Sequence, residues 1–164
     1  MKALTIQQPW ASLIMARASN PRAKDVENRT WTTSHRGTLA IHAGKAIDRD
    51  GFGYAEYHQI ELPDPLPLGV VLGTVTLVDV VRDYMSSWAS GGQWNWVLAD
   101  PIALPVPVPA RGSLGLWDWG TAVRRIEGDD GLTVEERVER MNRWASTAAA
   151  RPNAMEIAAL KARL

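Results

Sequence analysis

The run "GVVLGTVTLVDVV", residues 69–81, constrains the fold more than any other part of the chain. It is β-branched almost throughout, and such side chains fit the pleated surface of a sheet. Apolar residues stand at both odd and even positions, so this strand is expected to be covered on both faces. A β-rich body is therefore the starting expectation.

The rest of the first 120 residues reads as short strands around it. "KALTIQ" (2–7) is predicted as a strand, and Pro9 suits the first position of a following helix, "WASLIMARA", with Leu13 and Ile14 inward. Asn20-Pro21 stops that helix. "DVENRTW" (25–31) and "GTLAIHA" (37–43) are strand-like, separated by a turn at Arg36-Gly37, and are expected to form an antiparallel pair. A short helix is expected within residues 46–60, where Asp48 is a candidate cap and Gly51 and Gly53 weaken the pattern. "WNWVLADPIALPVPVP" (94–109) reads as a strand running into proline-broken extended chain, and "SLGLWDW" (113–119) as a last short strand. Five or six short strands with one early helix suggest a small barrel, within an α+β class.

After Trp119 the character changes. Thr133 and Glu136 form a capping-box pattern, and Val134, Val138, Met141 and Ala145 follow at helical spacing. Asn153 and Glu156 are placed to cap a final helix through Leu164. Two parts are expected: a β-rich domain over residues 1–120, and a helical extension over 121–164 that packs its apolar stripe on the barrel.

Charge narrows the function. The 18 basic and 18 acidic side chains cancel, which argues against gripping duplex nucleic acid by bulk charge. Residues 1–60 carry 8 basic and 5 acidic side chains, whereas residues 61–120 carry 2 and 6. A modest basic face is the most this allows. The chain has no cysteine, which removes thiol chemistry and disulfides, and no apolar run approaches the roughly 18 residues of a membrane span. A cytoplasmic protein is expected. His35, His42 and His58 lack metal-ligand spacing, so neither a metal nor a cofactor is expected.

Eight tryptophans are the compositional oddity, since each buried indole N–H needs a partner. Trp94 and Trp96 share one strand face, at a spacing that suits flanking a nucleobase unless that face is core. Glu27 and Arg29 also share a face, with Lys24 just before the strand. These three either converge on one ligand or make a surface ion pair on a solvated edge strand. Arg36-Gly37 and Arg111-Gly112 read first as turn chemistry.

Taken in order, "LTIQQPWASLI", "KDVENRTW", "RGTLAIHAGK", "GTVTLVDV", "WNWVL" and "RGSLGLW" resemble an ASCH domain of the PUA-like superfamily over about residues 2–119. The resemblance implies a β-barrel with flanking helices and a cleft lined by the segment between the first helix and second strand. That segment carries the family's lysine-x-x-glutamate-x-arginine pattern, matched by Lys24, Glu27 and Arg29. Relatives of this kind are described as RNA- or DNA-binding, some as ribonucleases, and one subgroup as an amidohydrolase acting on acetylated cytidine. That subgroup shares Lys24 but has threonine where Glu27 stands.

Two functions from different classes follow. In the first, the cleft binds RNA, another single strand or a nucleotide, with Lys24, Arg29, Arg36, Lys45 and Arg111 as the available cations and Trp94 or Trp96 stacking. In the second, the same cleft is a metal-independent hydrolase on RNA or modified nucleosides. There Glu27 is the general acid or base, and Lys24 stabilises developing negative charge. A third reading gives the helical extension a protein partner.

Overall fold

The computed structural model describes residues 1–120. In chain order the elements are β1 (Lys2–Gln8), α1 (Trp10–Met15) with a 3₁₀ turn at Ala16–Ala18, β2 (Val26–Arg29) and β3 (Gly37–Ile47). There follow α2 (Asp50–Tyr57), β4 (Val70–Val81), β5 (Trp94–Pro109) and β6 (Leu116–Asp118). The helical extension expected over 121–164, with its Val134, Val138 and Met141 stripe, lies outside the described residues.

One six-stranded sheet runs in the order β2-β5-β4-β3-β1-β6. β4 sits inside it, with Val71, Leu72, Val75, Leu77 and Val80 buried, but it is not covered on both faces as expected: Thr74 and Thr76 are half-buried and Val78 is exposed, because over most of its length one face lies on the core and the other toward solvent. Gly73 of β4 marks a close approach. A Cβ there would meet the Ile102 carbonyl oxygen, Met15 Cε at 2.5 Å and Ala103 Cα at 2.9 Å, so α1 and β5 press onto β4 at that point.

Two pairings differ from the sequence expectation. Residues 25–31 and 37–43 do not form a hairpin. β2 instead pairs antiparallel with β5, Glu27 opposite Trp96 and Arg29 opposite Trp94, while β3 lies between β4 and a parallel β1. Residues 30–36 form no strand, so β2 and β3 leave that segment toward different neighbours. β5 continues as one strand through its prolines. Pro105 and Pro107 fall between Ala103 and Val108, where β4 advances only from Gly73 to Val71. The ladder bulges there, and the missing proline N–H costs no hydrogen bond.

The sheet curls but the ladder does not close. β2 has four residues and β6 three, and they stand at opposite ends of the sheet order. The curl brings β2 near β1 all the same: Arg29 donates from a terminal nitrogen to the Thr5 carbonyl at 2.9 Å. A side chain, not a strand ladder, spans that seam.

α1 plugs the curled sheet. Ile14 and Met15 join the main core with Leu4, Ile41, Leu77 and Trp96. Leu13 faces a second cluster with Val26, Ala55, Ile60 and Trp88, which ties α2 and the 84–90 loop to the same helix. Burying such side chains contributes about 1.5–3 kcal/mol each.

Candidate functional site

A cleft of about 1260 Å³ opens along the seam between β2 and β1. Its floor is an ion-pair triad. The backbone N–H of Lys24 donates to the Leu13 carbonyl at 3.2 Å, which holds the lysine against α1. From there Lys24 Nζ reaches Glu27 Oε2 at 3.5 Å, and Arg29 reaches Glu27 Oε1 at 3.0 Å. The strand alternation that put Glu27 and Arg29 on one face is what makes this possible.

Lys24 is 3 % exposed and Glu27 7 %. Lys24 Nζ also lies 5.5 Å from the ring centre of Trp10. Burial is the largest influence on this amine and lowers its pKa below the ordinary lysine value, against the pull of Glu27 in the other direction. Glu27 shares its charge between two cations, and both of its oxygens are engaged. Arg29 Nε is buried without a hydrogen-bond partner, an unmet donor among the cleft residues.

A second polar chain forms the far wall. Trp117 Nε1 donates to Thr5 Oγ1 at 3.0 Å. Thr5 Oγ1 lies 3.2 Å from His42 Nδ1, and His42 Nε2 lies 3.1 Å from the Ala110 carbonyl. A carbonyl only accepts, so Nε2 carries the proton, and Nδ1 accepts from the threonine hydroxyl. Burial lowers the His42 pKa, in keeping with a neutral ring. Gly112 is packed flat on this chain: a Cβ there would stand 2.5 Å from His42 Cε1 and 2.7 Å from Thr5 Oγ1. The loop after β5 can close on β1 and β3 only because residue 112 has no side chain.

Lys45 and Arg111 line the mouth, exposed, and neither makes an ion pair among the described residues. The five expected residues Lys24, Glu27, Arg29, Lys45 and Arg111 are thus brought to one cleft. Three others are not. Arg36 is tied to Asp79 at 2.9 Å and to the carbonyls of Thr33 and His35, away from the cleft. Trp96 is wholly buried in the main core, its Nε1 donating to the Trp31 carbonyl at 3.3 Å. Trp94 packs beside that core under Arg82, 4.4 Å from its ring centre. The face shared by the two tryptophans turns toward the core, with Trp94 half-buried at its edge, and neither ring lines the cleft.

The aromatic lining comes from elsewhere, from Trp10, Tyr54 and Trp88. Trp10 meets Tyr54 edge-on at 5.3 Å and Trp88 at 6.5 Å. Trp10 Nε1 donates to Asp48 at 2.9 Å and Trp88 Nε1 to the Arg22 carbonyl at 3.0 Å, which fixes both planes. Asn28, on the strand face opposite Glu27, clamps the loop that carries Trp88 by donating to the Trp88 carbonyl and accepting from the Ser90 N–H. The sequence signal for Trp88 was an indole inside an otherwise polar loop, "DYMSSWASGGQ".

Among the described residues no group of three or more His, Cys, Asp or Glu side chains is placed to hold a metal ion, and no helix is long and apolar enough to cross a membrane.

The fold is thus a curled sheet plugged by one helix, with a charged cleft at its seam. The ASCH domain family model matches residues 4–107, and the chain belongs to this family, one associated with RNA binding. The chain is similar to Activating signal cointegrator 1 of Mus musculus, 30% identical over 129 residues, and to that of Homo sapiens, 28% identical over 129 residues. Each match covers 70% of this chain and 21% of the relative, so the chain spans about a fifth of the length of the curated relatives it matches.

Proposed function

We propose that the cleft binds a short single strand of RNA. The observation that carries this reading is a fixed, half-buried indole, Trp10, with the exposed Tyr54 edge-on against it, beside two unpaired cations, Lys45 and Arg111, around one cavity. Stacking takes any base, and a cation at the mouth meets phosphate, so the arrangement suits a strand more than an isolated charge. The Lys24–Glu27–Arg29 floor gives the cleft base-edge donors in a dry setting, where each hydrogen bond discriminates strongly. Titration of a labelled single-stranded RNA should show saturable binding that weakens in Lys45→Ala and Arg111→Ala. Absence of binding to any single strand would overturn this function.

The same cleft supports a second reading because of Lys24, a buried amine with a lowered pKa. As a hydrolase acting on RNA or a modified nucleoside, it would use Lys24 to stabilise developing negative charge. Glu27 serves less well as the base, since two adjacent cations favour its ionised form and weaken its pull on a proton. Incubation with RNA and with acetylated cytidine, followed by product analysis, separates the readings. Turnover lost in Lys24→Ala would favour the hydrolase.

A further inference from the structure

Beside the cleft lies a second hollow, of about 480 Å³, lined by Arg49, Asp50, Gly53, Tyr54 and Tyr57 of α2 and the residue before it. Asp50 and Tyr54 line both cavities, so the two are adjacent. Tyr54 and Tyr57 stand three residues apart on α2, neighbours on one helix surface. Tyr57 is 82 % exposed. Gly53 has nothing within 4 Å of where a Cβ would stand, which leaves backbone open to a flat group.

An unbroken run of rings joins this hollow to the cleft. Trp10 meets Tyr54 at 5.3 Å, Tyr54 meets Trp88 at 5.9 Å, Trp88 stacks on His58 at 4.1 Å, and His58 meets Tyr57 at 5.0 Å. Single exposed aromatic residues are common on protein surfaces. A chain of five rings leading from the cleft to an exposed tyrosine in its own hollow is a different object. The Arg49 side chain is exposed and makes no ion pair or hydrogen bond among the described residues.

We propose that this hollow is a second base subsite, which takes the nucleotide next along the same single strand and stacks its base on Tyr54 and Tyr57. The inference rests on the RNA-binding reading of the cleft and extends it to the length of strand held. Arg49 offers donors to a base carbonyl or a phosphate, and Asp50 beside it offers an acceptor to an exocyclic amine. Their charges offset, so stacking carries most of the affinity at this position.

The test compares two probes on the same proteins: nucleoside monophosphates, which fill the cleft alone, and a single-stranded RNA octamer, which reaches α2. Tyr57→Ala should weaken octamer binding by about 5- to 150-fold, the range of losing one stacked base. It should leave monophosphate binding unchanged, while Tyr57→Phe, which keeps the ring, should bind the octamer like the parent. Octamer binding unaffected by Tyr57→Ala, in a protein that binds both probes, would overturn the second subsite and leave the cleft reading standing. Equal loss for both probes would also overturn it, because Tyr57 would then act on the cleft itself. A parent protein that binds neither probe overturns both readings together.

Discussion

Glu27 is the residue on which the cleft floor depends. It is the only carboxylate within ion-pair reach of Lys24 and Arg29 among the described residues. Removing it leaves two cations, one of them buried, without a counter-charge. Glu27→Ala should therefore lose about 3–5 kcal/mol of folding stability, the usual cost of breaking a buried pair from one side. Lys24→Met should behave differently. Burial is the largest influence on the lysine, so exchanging its ammonium for an apolar chain under Trp10 removes a desolvation cost, while Arg29 still pairs Glu27. Its stability should change by no more than about 1 kcal/mol. Urea denaturation of the two variants checks the order; a Lys24→Met loss as large as that of Glu27→Ala would refute it. The polar cluster was legible in "KDVENRTW" because strand alternation alone places Glu27 and Arg29 together. Whether the tryptophans faced a ligand or the core was not, since alternation gives two faces and does not say which is inside. The cross-strand neighbours decided it: Trp96 lies opposite Glu27, and the β5 face bearing its ring turns to Leu39 and Leu77.

Elements rather than single residues make the cleft wall. The loop after β5 closes on β1 and β3 through the Trp117–Thr5–His42–Ala110 chain, with Gly112 flat against it. Gly112→Ala forces a methyl group into His42 and Thr5, so the loop must lift. A loss of about 1–3 kcal/mol is expected, typical of overpacking, together with weaker RNA binding because Arg111 is carried on the displaced loop. Thermal melts and RNA titration on the one variant test both parts; unchanged melting would show that the wall yields freely.

The same wall carries a pH dependence whose sign is fixed. In the folded chain the His42 pKa lies below its ordinary value of 6.5. As pH falls through 6.5 the unfolded chain takes the proton first, so stability drops between 6.5 and the lowered folded value and levels off below it. Parent protein should lose more stability than His42→Gln between about pH 7 and about pH 5. Equal losses would refute the lowered His42 pKa, because contributions from carboxylates are common to both proteins. At this scale β4 was readable from residue types, but cover on both its faces was not met, since Thr74 and Thr76 are half-buried and Val78 is exposed, and strand partners were not readable at all. "VENR" and "GTLAIHA" look alike as hairpin arms, and only the parallel seating of β1 on β3 shows that β2 belongs to β5.

For the molecule as a whole, the question is how tightly a chain with no net charge can hold a polyanion. The described residues supply four cations at the cleft, but they are not equivalent. Lys24 and Arg29 share the single carboxylate of Glu27, which holds both on the cleft floor and offsets part of their charge, and Arg36 is held away by Asp79. Only Lys45 and Arg111 line the cleft without a carboxylate partner. With two phosphate contacts, the slope of log affinity against log salt for single-stranded RNA should be about −1.4, at roughly −0.7 per contact. Lys45→Ala should flatten the slope to about −0.7, whereas Tyr57→Ala should lower affinity and leave the slope unchanged, since stacking releases no counterions. Titrations across a range of salt concentrations measure all three. A parent slope steeper than about −4 would require many more phosphate contacts than the cleft provides. It would place the binding surface outside the seam between β1 and β2. A slope near −1.4 that flattens with Lys45→Ala would tie binding to the mouth of this cleft and make aromatic stacking, not charge, the main source of affinity.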